Sequence, residues 1–325
     1  MEISLKNKVA VVSGSAAGIA LPSAKKLVAS RARMTIPSQK TEFTFQTEWV
    51  EGRGFLLVLA FFLGGLGAGL YLLSMYLNFF PGMLTGFLIV AVGKGGAHFM
   101  FLGKPWRFWR GFAKPQTSWI SRGLIAILLF LIPTAMQIAG KLPAFNWLPW
   151  TPDNFALQVF VVIGALALMI YTGFALAAVK AIRSWNSGIV PLFFIVYSFM
   201  GGIGLGLGML AGMNTGIELA SIERLAVGLM ITVIALWIVY LWTTYESNQA
   251  GSKSVIEMLK GNASPYFIVG VVILGLVIPF TVAMISLTTN QVSPAVIVIA
   301  SACEIIGGFS MRYSIFKAGV YTPIV

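Results

Sequence analysis

The fold is decided by an uncharged stretch of sequence, FLLVLAFFLGGLGAGLYLLSMYLNFF (55–80). A helix that crosses a bilayer needs about 20 mostly apolar residues. Seven more stretches of this kind follow, at 82–103, 120–140, 156–179, 189–213, 224–245, 266–287 and 293–316. Of the 325 residues, 58% are hydrophobic and 10% are charged, whereas a soluble protein carries about 25% charged residues. The sequence therefore predicts an all-α integral membrane protein, with eight transmembrane helices in one domain (45–325) and no soluble catalytic domain.

The distribution of lysine and arginine predicts how the helices are oriented. If the eight spans alternate, most of these side chains fall on one face, which we call the basic face: Lys104, Arg107, Arg110, Lys114, Arg122, Lys180, Arg183, Lys253, Lys260, Arg312 and Lys317. The opposite face has only Lys141 and Arg224. Because loops rich in lysine and arginine stay in the cytoplasm, we expect both termini to be cytoplasmic. This asymmetry accounts for the net charge of +12, and nucleic-acid binding is not expected.

Residues 1–44 form a polar N-terminal extension that contains a stretch similar to the start of a short-chain dehydrogenase, LKNKVAVVSGSAAGIALPSAKKLV (5–28). Gly14 and Gly18 match the glycine-rich turn that holds a dinucleotide pyrophosphate. The third glycine is missing, and Pro22 interrupts the helix that should follow. The rest of a dinucleotide-binding domain is absent, so we expect no functional domain in this extension.

Four ionisable side chains lie inside the predicted spans: Lys94 and His98 in the second, and Glu304 and Arg312 in the eighth. Such groups are costly in lipid and usually serve a function. Lys94 and His98 are four residues apart and share one helix face. His98 either exchanges a proton near neutral pH or only hydrogen-bonds a neighbouring carbonyl. Glu304 either pairs with Lys94 or another buried donor, or relays protons, so Lys94 and Glu304 mark a candidate proton path.

The supply of ligating side chains argues against a haem or a metal in this chain. His98 is the only histidine, whereas a transmembrane haem b normally takes two. Cys303 is the only cysteine and lies within the eighth span, so a cluster ligated by several cysteines of this chain is excluded. Redox chemistry here would need a diffusible carrier or a metal site in another subunit.

Two spans are unusually rich in glycine, with GGLGAG at 64–69 and GGIGLGLG at 201–208. Small residues at this spacing let helix backbones approach closely in lipid. They would alternatively line a cavity that admits a flat ring. Each glycine-rich span opens a set of four, which favours two four-helix bundles.

The loop LGKPWRFWRGFAKPQTSWISRG (102–123) combines five basic residues with three tryptophans. Such a loop is typical of the membrane interface. Aromatic and arginine side chains also dominate the energetics of protein interfaces. We therefore consider partner docking as well, with Lys104, Arg107, Trp109 and Arg110 as the candidate residues.

This loop resembles a motif of the NrfD/polysulfide-reductase membrane-subunit family. Two further segments, YTGFALAAVKAIRSWNSGIVPLFF (171–194) and EIIGGFSMRYSIFKAG (304–319), resemble motifs of the same family and occur in the same order. The resemblance covers about residues 45–320. It implies eight helices in two four-helix bundles, without haem or metal, in a prokaryotic cytoplasmic membrane.

The resemblance also implies a function. Such subunits anchor a respiratory oxidoreductase complex and exchange electrons between menaquinone or ubiquinone and a ferredoxin-like iron–sulfur subunit. That subunit serves a catalytic subunit, often a molybdopterin enzyme. Many members work with a partner outside the cytoplasm, whereas the charges here place the docking face inside. Either this complex faces the cytoplasm, or charges needed by the partner override the topology rule.

The family's quinone pocket lies in the first bundle, near the face on which the iron–sulfur subunit docks. In this sequence that region gathers eight residues: Trp49, Glu51, Arg53, His98, Trp119, Ser121, Tyr171 and Thr172. We expect His98 and Glu51 to exchange protons, and His98 and the other six residues to contact quinone. Arg53 would hold Glu51 ionised through a charge-assisted hydrogen bond.

Two other functions remain open. Glycine-rich spans with buried lysine, histidine and glutamate also suit a secondary transporter or an ion channel. Against this, no pair of helices is interrupted at matched midplane positions. A purely structural membrane anchor for a soluble redox partner is the third hypothesis, and the chain would then have no activity of its own.

Overall fold

The computed structural model describes residues 43–213, 215–289 and 292–323. Within them, eight helices are long and apolar enough to cross a membrane. They are α1 (Gly54–Tyr76), α2 (Phe80–Phe101), α3 (Trp119–Lys141), α4 (Phe155–Ala177), α5 (Ile189–Met213), α6 (Ala220–Ser247), α7 (Tyr266–Thr289) and α8 (Pro294–Lys317). The predicted all-α fold with eight spans is confirmed. The dehydrogenase-like stretch 5–28 lies outside the described residues.

The largest differences from the predicted bounds are at the end of α1 and the start of α6. Helix α1 ends at Tyr76 rather than at residue 80 because Asn78 adopts a left-handed backbone conformation, with φ of 51°. The chain turns there and enters α2, where Pro81 occupies the first turn. Proline suits this position because its nitrogen needs no helical hydrogen bond. Helix α6 begins at Ala220 and so includes Glu223.

The contacts between helices fall into two sets of four. In the first set, α1 contacts α2 and α4, while α3 contacts α2 and α4. In the second set, α5 contacts α6 and α8, while α7 contacts α6 and α8. These two closed cycles are compatible with the expected pair of four-helix bundles, which we call the first and second bundle. Helix α1 also contacts α5 and α8, and α4 contacts α5, so the bundles share a broad joint.

Glycine brings the backbones of α1 and α5 together at this joint. A Cβ atom on Gly69 would overlap the carbonyl oxygen of Ser198, and one on Gly202 would overlap the backbone of Gly69 and Leu70. Close packing is therefore the role of these two glycines, as the sequence pattern predicted.

Short backbone contacts group the loops on two faces. Phe45 forms a bridge with Val320, and Ile182 forms one with Tyr321. The segment before α1, the α4–α5 loop and the segment after α8 therefore meet on the basic face. On the opposite face, Lys141 Nζ donates a hydrogen bond of 2.7 Å to Asn78 Oδ1. This grouping agrees with the alternation of spans on which the topology prediction rests.

Candidate functional site

The Lys94 side chain is buried in the first bundle. Lys94 ends a π-helical segment of α2, Ile89–Lys94, and its side chain is fully buried. Its ammonium donates to the Tyr171 hydroxyl at 2.7 Å and to the Ala60 carbonyl at 3.2 Å. Nζ lies 5.6 Å from the centroid of the Phe61 ring and 5.0 Å from that of Tyr171. In the part of the chain that the structure describes, Lys94 forms no ion pair.

Two glycines make room for this lysine–tyrosine pair. A Cβ atom on Gly64 would lie 2.8 Å from Lys94 Cδ and 2.9 Å from Nζ. A Cβ atom on Gly123 of α3 would overlap the Tyr171 ring. The glycines of α1 therefore serve two purposes, since Gly69 brings helices together and Gly64 accommodates a buried ionisable side chain.

His98 lies one turn nearer the basic face than Lys94. Its Nδ1 is 3.1 Å from the Lys94 carbonyl oxygen, and its ring centroid is 6.2 Å from that of Phe61. A carbonyl oxygen only accepts hydrogen bonds, so Nδ1 carries the hydrogen and Nε2 of the neutral ring is an acceptor. The predicted sharing of one face by Lys94 and His98 holds, and the sequence did not reveal their contact with Phe61.

Trp49 joins the same aromatic set from the segment before α1. Its ring centroid is 5.2 Å from that of Trp185 and 5.8 Å from that of Phe316. Phe316 in turn lies 5.9 Å from Phe61. A continuous series of rings therefore connects Trp49 with the side chains around Lys94 and His98.

Three other predicted residues lie on α3 and α4 without a hydrogen bond to Lys94 or His98. Trp119 stacks on Phe174, with a centroid distance of 4.9 Å and an interplanar angle of 6°. Ser121 is buried, and its N–H donates to the Ser118 side chain at 3.4 Å. Thr172 is also buried, and its hydroxyl donates to the Met169 carbonyl at 3.2 Å.

Glu51 and Arg53 are exposed in the turn before α1. The hydrogen bond expected between them does not form among the described residues, so this prediction is wrong. Each side chain is solvated at the surface, where an ion pair gains little free energy. Arg53 instead lies beside Gly103, at the start of the basic loop.

The four docking candidates are exposed together on the basic face. Lys104 precedes a short 3₁₀ helix, Pro105–Phe112, that contains the others. The Arg110 guanidinium lies 5.5 Å from the centroid of the Trp109 ring, and Trp109 is 60% exposed. The segment therefore presents cationic and aromatic groups to the surroundings.

Arg312, which the sequence places on the basic face, is instead buried at the joint of the two bundles. Its Nη1 donates to the Gly308 carbonyl at 2.8 Å, and its Nη2 donates to the Ser198 hydroxyl at 3.4 Å. The guanidinium also lies 5.6 Å from the centroid of the Phe62 ring and 5.3 Å from that of Phe194. Within the described ranges it has no carboxylate partner.

Glu304 is buried in the second bundle, against Gly204. The interpretation that it pairs with Lys94 or another buried donor is wrong, because the described residues give it no ion pair and leave Oε1 without a hydrogen-bond partner. Lys94 is held by Tyr171 and Ala60 in the other bundle. A proton-relay role for Glu304 stays a prediction.

Comparison with known proteins places the chain in a family. Residues 53–324 match the family described as polysulphide reductase, NrfD. One of the subunits of the sulfite dehydrogenase of Allochromatium vinosum is 32% identical over 164 residues, which are 42% of this chain and 48% of that protein. The protein NrfD of Escherichia coli is 26% identical over 303 residues, 82% of this chain and 94% of that protein. An NrfD homologue of Haemophilus influenzae is 25% identical over 243 residues, 68% of this chain and 76% of that protein. The chain therefore belongs to the NrfD/polysulphide reductase family of multi-pass membrane proteins.

Proposed function

We propose that this chain is the quinone-reactive, membrane-anchoring subunit of a respiratory oxidoreductase complex. It exchanges electrons between menaquinone or ubiquinone and an attached ferredoxin-like iron–sulfur subunit. Family membership supports a place in such a complex. The observation that supports the quinone reaction best is the buried Lys94–Tyr171 hydrogen bond of 2.7 Å beside His98.

The chemistry of a quinone fits these side chains. Oxidation of a quinol releases two electrons and two protons, so each oxygen needs a group that binds it and takes up its proton. The Nε2 of His98 is an acceptor for a hydroxyl proton. Glu51, the other residue expected to exchange protons, would take up the second proton. The Lys94 ammonium and the Tyr171 hydroxyl would donate hydrogen bonds to the carbonyl oxygen that forms. Phe61 supplies an apolar wall of the kind that ligand pockets use.

The basic face is the proposed docking surface for the iron–sulfur subunit. Lys104, Arg107, Trp109 and Arg110 are exposed there, and His98 lies near the same end of α2. Exposed arginine and tryptophan side chains frequently anchor protein interfaces. Electrons would pass between the quinone and the clusters of the docked subunit, and from there to or from the catalytic subunit.

The test is the rate at which quinol reduces the partner's clusters in membranes that contain the assembled complex. Tyr171→Phe removes only the hydroxyl that Lys94 binds, and we expect the rate to fall at least about tenfold. Tyr240→Phe is the matched control, because Tyr240 is also buried but hydrogen-bonds the Ser184 carbonyl, outside the proposed site. Equal rates in both variants, at normal subunit levels, would show that the quinone reacts elsewhere.

The same preparation separates the two alternative functions. A structural anchor would copurify with an iron–sulfur subunit but would show no quinol-dependent reduction of its clusters, even in the wild-type complex. A secondary transporter would move its substrate in proteoliposomes that contain this chain alone.

A further inference from the structure

The second bundle contains a cavity that two buried carboxylates line. Glu223 of α6 and Glu304 of α8 contribute to its wall, together with Ser301. The rest of the lining is apolar and includes Ala300 of α8 and Pro279, Val282 and Ala283 of α7. The centre of a water molecule can occupy about 20 Å³ of the cavity. One ordered water needs about 10–15 Å³ by this measure, so the cavity has room for it.

Glu304, whose side chain lines this cavity, has a hydrogen-bonding atom without a partner among the described residues. The side chain is 3% exposed, and its Oε1 has no partner among the described residues. The next cation on its own helix is Arg312, two turns away or about 12 Å along the axis, whose donors bind Gly308 and Ser198. A buried polar atom normally has a partner, so this carboxyl group has unused hydrogen-bonding capacity next to a cavity with room for water.

Glu223 links the cavity to the end of the bundle. It lies in the first turn of α6 and is 4% exposed, and its side chain lines the cavity. This end of the helices belongs to the face opposite the basic face. Glu218 and Arg224 are exposed at the same end. The cavity therefore extends from the middle of α8 toward a surface remote from Lys94 and His98.

We propose that Glu304 is a proton-exchange site, which takes up and releases a proton through water in this cavity and through Glu223. The step moves a single proton between a water molecule and a carboxylate oxygen, and no electron is transferred. Among the described residues, Tyr197 on α5 is a further titratable group that interacts with Glu304, and Arg312 lies about 12 Å away along α8. The lining residues of α7 are apolar. The inference goes beyond the proposed quinone reaction, because it uses none of the side chains around Lys94.

The test labels the full chain in its complex with dicyclohexylcarbodiimide, which adds to protonated carboxyl groups in apolar surroundings. We expect mass spectrometry to find the label on Glu304, and the yield to fall as the pH rises. Glu304→Gln should lose the label from the α8 peptide, and Glu223→Gln should slow its formation. Glu246→Gln is the control, since Glu246 is exposed at the other end of α6.

A second pair of variants tests the route without removing a carboxylate. Ala300→Leu fills the cavity and should slow labelling of Glu304, whereas Ala295→Leu, on the exposed side of the same helix, should not. The proposal would be overturned if Glu304 were not labelled in the folded wild-type chain, or if its labelling did not depend on pH. It would also be overturned if Na⁺ protected Glu304 from labelling, because this would indicate a metal-cation site. The labelling does not require quinone, so its outcome is independent of the proposed electron transfer.

Discussion

Gly64 determines where the Lys94 ammonium lies. In Gly64→Ala the new methyl group would meet the end of the lysine side chain, 2.8 Å from Cδ and 2.9 Å from Nζ. A flexible side chain can move away, so we expect the variant to fold and assemble. The ammonium would leave Tyr171, and we expect quinol-dependent reduction of the partner's clusters to slow at least about tenfold.

Gly228→Ala is the control for this substitution. A Cβ atom on Gly228 would have no heavy atom within 4 Å, and alanine favours a helix interior by about 1 kcal/mol over glycine. The control should therefore assemble and react as the wild type does. If Gly64→Ala also reacts at the wild-type rate, the position of the ammonium has no part in the reaction.

His98 and Glu51 are the residues expected to exchange protons at the quinone site. His98 is partly buried and Glu51 is exposed. We expect His98→Ala and Glu51→Gln each to slow the quinol reaction at least about tenfold, as a positioned acid–base group normally contributes this much or more. Glu48→Gln is the control for Glu51, because both glutamates are exposed in the segment before α1. Wild-type rates in both variants would show that neither residue exchanges protons with the quinone. Loss of the assembled complex would instead support a structural role.

The residues of the candidate site were predictable to different degrees. A charge inside an apolar span stands out, so Lys94 and His98 were identified and their spacing placed them on one face. Phe61 gives no such signal, because one aromatic residue of a span looks like any other. Glu223 was overlooked because hydropathy predicts that the sixth span begins at residue 224, which leaves Glu223 just outside it. The prediction of a hydrogen bond between Glu51 and Arg53 was wrong because two charged side chains that are close in sequence gain little free energy by pairing in water.

At the scale of helices, the contact between α1 and α5 depends on the absence of side chains. A Cβ atom on Gly202 would overlap the backbone of Gly69 and Leu70, which cannot turn aside as a side chain can. We expect Gly202→Ala to destabilise the folded chain by about 1–3 kcal/mol, the usual cost of overpacking. The measurement is the thermal unfolding of the purified complex in detergent.

The neighbouring glycine offers a matched control. A Cβ atom on Gly201 would meet only Leu66 Cδ1, at 3.4 Å, which is an ordinary contact. Gly201→Ala should therefore keep a melting temperature close to that of the wild type. Similar melting temperatures for the variants at Gly201 and Gly202 would contradict the close approach of α1 and α5.

Hydropathy predicted the eight long helices because a span must be apolar throughout, and length and composition then suffice. It did not reveal the short helix Gln249–Lys260, which is polar and lies outside the spans. It also gave no sign of the π-helical segments Ile89–Lys94 and Tyr266–Val277. A change in hydrogen-bond register depends on packing, and the composition of these segments is that of any apolar helix.

The orientation of the whole molecule follows from the segregation of lysine and arginine between the two faces. We expect a reporter fused to the C-terminus to be cytoplasmic, and one inserted in the 145–152 loop to lie on the other side of the membrane. The insertion site is in an exposed loop near Lys141. The reverse pattern would place the basic face outside the cytoplasm, where the soluble partner would then have to dock.

The backbone bridges on the basic face have a consequence for the order of the helices along the chain. Phe45 pairs with Val320, and Ile182 pairs with Tyr321, so the first, middle and last described segments meet at one place. A short connector from residue 323 back to residue 43 would close the chain, and a new opening in the α4–α5 loop would put the second half first. Circular permutation generally succeeds where the joined ends lie close together. Since each half contains an even number of crossings, exchanging the halves would leave every helix pointing in its original direction.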